Sequence, residues 1–248
     1  MARAKDILLR VIPGNIANAF VREHHYSHSI VNNSKLHFGV FLDGQLHGVM
    51  SYGPSMKKSQ LIALVEGTEW NNFMELNRMA FDAYLPRNSE SRALSISFRL
   101  LRKYAPQVKW IVSFADATQC GDGAIYRASG FVLTLIKPNE AICRLPNGTI
   151  IHKMTLSSNP NVPRPELGGR CYYDITDGVH AWKTFLEKTG ATLLDGWQLR
   201  YIYFLDPAWR SRLTVPEIPF SEIDRLGAGM YRGEKATMAD RHITPAEE

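Results

Sequence analysis

The chain has 248 residues, 45% hydrophobic and 21% charged, enough for one large α/β domain or two small ones. That composition excludes a disordered chain. Three cysteines (Cys120, Cys143, Cys171) with no Cys-x-x-Cys pair exclude a disulfide framework and argue against a structural zinc site, while 29 basic residues against 24 acidic leave a net charge of +5.

The first predicted element is a strand over 6–12 (DILLRVI). A short helix follows over 15–25 after the Pro13-Gly14 turn. Two β-rich runs, Leu36–Leu42 and Gln45–Tyr52, flank Asp43-Gly44, the pair that supplies the positive φ angles of a tight hairpin turn. Residues 73–81 (FMELNRMAF) read as a buried strand. After Pro86, Ser89 is the expected N-cap, Glu90 sits in the first turn, and Leu94, Phe98, Leu101 and Ala105 recur at helical spacing until Pro106. A buried strand over 108–116 (VKWIVSFAD), a short helix over 122–129 closed by Gly130, and a strand over 131–136 complete the run. Residues 159–169, rich in Pro and Gly, read as a surface connection, and 197–206 (WQLRYIYFLD) as one more strand. This order predicts an α/β layer fold with a mixed sheet. The expected division is a catalytic core over 1–156, an extension over 157–226 packing on it, and a mobile tail over 227–248.

The stretch from Arg78 to Lys109 carries seven basic residues against Asp82 and Glu90. Such a stripe suits a phosphate-bearing ligand or nucleic acid, or is a solvated helix face. No run of 18 apolar residues occurs, and the N-terminal apolar stretch is too short for a secretory signal. The chain therefore reads as a soluble cytoplasmic protein with no membrane partner.

The segment AIYRASGFVL (124–133) resembles the helix-to-strand element of GNAT acyltransferases, aromatic-Tyr-x-x-x-Gly-Phe, with Ile125 in place of the first aromatic. A narrower resemblance rests on ELNRMAFDAYLPRNSESRALSISFRLL (75–101), WIVSFADATQCGDGAIYRASGF (110–131) and HHYSHS (24–29). These blocks resemble the Mom family of bacteriophage DNA-modification proteins, over roughly residues 6–156. The resemblance implies a GNAT-like fold and conversion of adenine in double-stranded DNA to a methylcarbamoyl-type adduct on its exocyclic amine, protecting phage DNA from restriction. It also implies an acetyl-CoA-derived or related acyl-CoA group and attaches an iron requirement. A conventional N-acetyltransferase acting on a protein or small-molecule amine is the alternative; a non-catalytic nucleic-acid-binding protein of the same fold is the third.

Within that frame PRNSESR (86–92) opens a helix where GNAT proteins hold the CoA pyrophosphate, and helix N-termini bind phosphate through unpaired N–H groups. Asn88, Ser89 and Ser91 stand in place of the usual glycines, with Arg87 and Arg92 adding charge; an ordinary capped helix is the competing reading. Arg78 either forms an ion pair with Glu75 at a strand end or faces the cleft, with the backbone of Met79 and Ala80 then pairing with the pantetheine arm. Tyr26 and Ser27 are site residues by the family match. Asp116, ending its strand, either orients or deprotonates an amine or caps the next turn. By resemblance Tyr126 protonates a departing thiolate; the alternative is a tyrosine packing on the sheet. His24 and His28, four apart, would share a helix face and could bind a metal, or are surface histidines. No helix-turn-helix, zinc-finger or RNP signature is visible, so a DNA substrate requires basic loops and a flipped base, with Trp70, Tyr84, Tyr172, Tyr173 and Trp197 as candidate stacking partners.

Overall fold

Alternating apolar residues form strands and 3.6-spaced ones form helices in nearly every place the pattern marks. The computed structural model describes residues 3–240. In chain order it has β1 (Leu8–Val11), α1 (Gly14–His24), β2 (Leu36–Leu42), β3 (Gln45–Gly53), α2 (Lys58–Leu61), β4 (Phe73–Phe81), α3 (Ser89–Tyr104), β5 (Trp110–Ala117), α4 (Ala124–Ala128) and β6 (Val132–Pro138). Then come β7 (Ile142–Arg144), β8 (Ile150–His152), α5 (Lys153–Ser157), α6 (Tyr172–Thr176), α7 (Trp182–Thr189), β9 (Thr192–Leu193), β10 (Trp197–Phe204), α8 (Ser221–Arg225), β11 (Met230–Tyr231) and β12 (Glu234–Lys235).

The expected α/β architecture is what the structure has. Seven strands form one mixed sheet in the order β1-β2-β3-β4-β5-β10-β6, flanked by helices. The β2–β3 hairpin turns at Asp43 (φ 50°) and Gly44 (φ 80°), the left-handed pair its sequence called for. Helix α3 turns Ala93, Leu94, Phe98 and Leu101 into the main core, where they meet Phe38, Tyr52, Ile111 and Phe131. Each fully buried Leu, Ile or Phe among them contributes about 1.5–3 kcal/mol relative to leaving it in water. The α3 cap differs from expectation. Asn88, in the left-handed conformation (φ 69°, ψ 10°), precedes the helix, and Ser89 is its first residue. The Ser89 hydroxyl turns back to donate to the Pro86 carbonyl (2.6 Å), so it caps nothing in the helix.

The sheet cuts across the division expected at residue 156. Strand β10 enters the main sheet between β5 and β6, pairing antiparallel with both, so the central sheet is incomplete without it. Residues 139–195 form an inserted lobe instead, with a three-stranded sheet (β8-β7-β9), α5, α6 and α7. The lobe has its own core of Cys143, Leu145, Ile151, Leu156, Tyr172 and Phe185. Even within the expected connection at 159–169, Leu167 joins that core.

Residues 227–240 are likewise no free tail. Ala228 and Met230 are buried in the main core, and the Met230 amide donates to Asp122 Oδ2 (3.2 Å). Residues 241–248 of the expected tail lie outside the described residues. Among the described residues no helix is long and apolar enough to cross a membrane.

Candidate active site

The site begins with a fork in the sheet. The parallel strands β4 and β5 pair only over Phe73–Glu75 and Trp110–Val112. Beyond that point they diverge, and among the described residues no strand covers the β5-facing edge of residues 76–81. A bulge accompanies the divergence: Ser51 pairs with Arg78 and Tyr52 with Leu76, leaving Asn77 as the extra residue. Such a bulge bends its strand and re-aims the side chains beside it. Ser113 donates across the fork to the Leu76 carbonyl (3.2 Å).

Around the mouth of this gap the chain gathers Tyr26, Glu75, Arg78, Asp116 and Tyr126. Asp116, next to last in β5, accepts the amides of Thr118 (2.9 Å) and Gln119 (3.2 Å) through Oδ1, and the Gln119 side-chain amide (3.1 Å) through Oδ2. It therefore caps the turn, and its carboxylate also receives the Tyr26 hydroxyl. Tyr26 leaves 44% of its surface exposed, yet its hydroxyl pKa is raised, first by burial and then by the Asp116 carboxylate.

Arg78 makes no contact ion pair with Glu75 among the described residues. Its Nε donates to the Ser29 carbonyl (2.8 Å) and its Nη1 to the Asn77 carbonyl (2.8 Å), which ties the loop after α1 to β4. Burial lowers the Arg78 pKa, the Tyr26, Glu75 and Tyr126 side chains opposing that shift. Burial also raises that of Glu75, whose carboxyl meets Ser55 and Asn77.

Tyr126 is 8% exposed. Its ring packs against Phe131 and Tyr201 (centroids 5.1 and 5.3 Å apart), while its hydroxyl meets Ser113 within the cluster. Burial pushes its pKa up to about 12, so the hydroxyl keeps its proton at neutral pH. His25 is buried, and desolvation with Arg78 nearby pushes it down to about 3. The Ser27 amide donates to its Nδ1 (3.2 Å), which places the ring proton on Nε2 and makes the Ser27 hydroxyl a second donor to the same nitrogen (2.8 Å).

The N-terminus of α3 follows the end of β4 after the loop 82–88. The Asn88 side chain caps nothing, so the Glu90 and Ser91 amides remain open donors of the first turn. Arg87 and Arg92 flank them, both exposed and without a carboxylate partner among the described residues. Ser91 Oγ donates to the Asn88 carbonyl (3.1 Å), and Ser89 is wholly buried. A cleft of about 240 Å³ continues between α3 and α4, lined by Ser91, Ser95, Phe98, Arg102, Ser129 and Tyr203.

The Mom protein family matches residues 6–222 of this sequence. The chain belongs to that family. It is 36% identical over 213 residues to the methylcarbamoylase mom of Escherichia phage Mu, which covers 86% of this chain and 81% of that protein. Among solved structures, an N-acetyltransferase from Staphylococcus aureus is similar at TM-score 0.44 and 11% identity, over 80% of this chain and 98% of the other. A spermidine/spermine N-acetyltransferase from Vibrio cholerae is similar at TM-score 0.42 and 9% identity, over 85% and 99%.

In this Mom-family chain Tyr26, Arg78, Asp116 and Tyr126 come together as one cluster, with Ser27 one step behind it on His25. The histidine pair does not form a metal site. Helix α1 ends at His24, His25 is extended, and His28 is left-handed (φ 49°), so the shared helical face does not exist. His28 Nδ1 is engaged with the Arg22 carbonyl (2.8 Å), and the His24 ring packs at a tilt against Phe20. Among the described residues no group of three or more His, Cys, Asp or Glu side chains could hold a metal ion, so the donor set does not fit the iron that the resemblance attaches.

The basic stripe also divides. Arg102 is committed to the Leu205 carbonyl and the Tyr203 hydroxyl, and Lys109 to Asp206. Arg87, Arg92 and Arg99 stay exposed, the last two on one face of α3. Of the aromatic candidates, Tyr172 lies in the lobe core, Tyr173 against His180, and Trp197 against the main core. Trp70 pairs with Lys58, and Tyr84 stacks on His47. Tyr26 is the exposed ring that lies at the gap. Sequence reasoning missed Ser113, although a lone serine inside WIVSFA was its signal. It also missed His152, whose approach to the site depends on the lobe.

Proposed function

We propose that this protein is a transferase that uses an acyl-CoA to convert adenine in double-stranded DNA to a methylcarbamoyl-type adduct on the exocyclic amine. The observation that carries the reading is the open β4–β5 gap with the Tyr26–Asp116–Arg78–Tyr126 cluster beside it, together with the arginine-flanked helix N-terminus that follows β4. The name of the phage Mu relative, a methylcarbamoylase, supports the group transferred.

The gap suits an acyl-CoA on the chain's own features. The uncovered edge at Met79 and Ala80 offers backbone hydrogen bonds to an amide-bearing arm. The Glu90 and Ser91 amides with Arg87 and Arg92 suit its phosphates. When bound, that group would supply a thioester carbonyl already bearing the methylamino nitrogen, with CoA leaving as its thiol and the adenine amine giving up a proton. Asp116 accepts an N–H of the adenine amine and orients it, with the Tyr26 hydroxyl beside it. Tyr126, protonated at neutral pH, is positioned to give a proton within the gap, and Arg78 holds positive charge over the same space.

A base inside a duplex cannot reach this recessed cluster, so the adenine must leave the stack, and the exposed Tyr26 ring offers it a face. Arg87, Arg92 and Arg99 supply phosphate contacts along α3. An adduct on the amine blocks the hydrogen-bond donor that endonucleases read in the major groove, which accounts for protection from restriction.

Mass spectrometry of nucleosides from plasmid DNA of expressing cells tests this reading. Deoxyadenosine carrying a methylcarbamoyl-sized mass is expected, and at least about tenfold less of it in Tyr126→Phe. Unmodified DNA in cells containing folded protein refutes it, and acetylated amines on protein or small molecules in its place favour a conventional N-acetyltransferase.

A further inference from the structure

The inserted lobe leaves and rejoins the sheet beside Asp116. Gln198 of β10 lies between Asp116 of β5 and Lys137 of β6 as neighbours in one rung. The chain departs at Asn139 and returns at Gly196, and these two are joined by a backbone hydrogen bond (2.8 Å). The Asn139 side chain locks both stems. It donates to the carbonyls of Ile142 (2.8 Å) and Leu194 (2.7 Å) and accepts the amides of Ala141 (3.0 Å) and Ile142 (2.9 Å). A Cβ on Gly196 would stand 2.5 Å from Thr118 Cα, so only glycine lets the returning stem lie against the turn that Asp116 caps.

This arrangement sets one lobe residue at the mouth of the gap. His152 ends β8 and pairs with Ile142, next to the locked stem. Its Nδ1 accepts the Met154 amide (3.0 Å), so the neutral ring carries its proton on Nε2. Burial lowers its pKa, Arg78, Lys57 and Lys137 acting in the same direction and Asp116 against it. An N–H donor from the lobe therefore lies within electrostatic range of the acceptor on β5.

We propose that His152 contacts the substrate base, donating Nε2–H to the ring nitrogen beside the amine that Asp116 holds, and thereby helps select adenine. The inference rests on the proposed adenine-modifying function. Adenine presents its amine between two acceptor nitrogens, N1 and N7. A carboxylate paired with an N–H donor matches that edge as the amide of Asn or Gln does. Guanine and thymine carry an oxygen where Asp116 needs a donor, so the pair rejects them.

The test uses duplexes in which the target adenine is replaced by 7-deazaadenine or 1-deazaadenine. Rates are measured for the full-length protein, His152→Asn and His152→Ala. Modification of ordinary adenine by the unaltered protein is read first and tests the proposed function alone. His152→Asn keeps a side-chain acceptor for the Met154 amide, so the lobe stays folded while the reach of Nε2–H is lost. With function established, the unaltered protein is expected to lose about tenfold or more in kcat/KM on one of the two analogues. Both variants should lose about as much on adenine and show no further loss on that analogue. Unaltered kcat/KM in His152→Asn with a near-native Tm overturns the proposal. So does a variant that remains as sensitive to the analogue as the unaltered protein, or an unaltered protein indifferent to both analogues.

Discussion

Replacing Asn139 by alanine severs the lock between the two stems of the lobe without touching either core. Four hydrogen bonds disappear, leaving the Ala141 and Ile142 amides and the Ile142 and Leu194 carbonyls without that partner. At about 1 kcal/mol net for each, full loss would cost about 4 kcal/mol. Asn139 is half-buried and water replaces part of that bonding, so about 2–3 kcal/mol is expected. The Asn139–Gly196 backbone bond survives, and the lobe keeps its own core around Phe185 and Tyr172. For a chain of this length each kcal/mol moves Tm by about 2–4 °C, so a fall of about 4–12 °C should appear in a thermal scan. Limited proteolysis should cut faster near residues 139–142 and 194–196, and DNA modification should fall by at least about tenfold as His152 loses its placement. An unchanged Tm together with unchanged cleavage would refute the claim that this side chain joins the two stems of the lobe.

Tyr126→Phe removes a hydroxyl while the ring keeps its packing on Phe131 and Tyr201, so modification should drop at least about tenfold with Tm near native; an active variant makes the residue structural. Asp116→Asn preserves an oxygen for the Thr118 and Gln119 amides and removes the charge, so nucleoside mass spectrometry should show a comparable loss with the turn intact. Arg87→Ala with Arg92→Ala should abolish modification and weaken cofactor or DNA binding at low salt, measured by titration, while leaving stability unchanged because both side chains are exposed. His25 is neutral when folded, its pKa pushed down to about 3 from the ordinary 6.5. The unfolded chain therefore binds the extra proton first. Stability is full above pH 6.5 and should fall toward pH 3 with a slope of about 1.4 kcal/mol per unit from this group, flattened in His25→Asn.

The elements of the main sheet were legible because each is decided locally. A period of two over 36–42 and 45–52, turn residues Asp43-Gly44, and apolar spacing from Leu94 to Leu101 specify strand, turn and helix without reference to distant residues. The motif blocks likewise marked Tyr26, Arg78, Asp116 and Tyr126 as candidates. What the pattern did not contain was adjacency. Strand β10 is just an apolar run near residue 200 until pairing inserts it between β5 and β6, because strand order depends on contacts more than sixty residues apart. The lobe followed the same logic: its strands of two and three residues carry no periodicity and form only against one another and a shared core. The metal reading of His24 and His28 failed because the chain leaves the helix at His25, a tertiary choice fixed when Arg78 clasps the Ser29 carbonyl. His152 had no local mark at all. It comes within electrostatic range of Asp116 because Asn139 and Gly196 close a 57-residue insertion at its stems, and hydrogen bonds between such distant stems exist only once the sheet has formed.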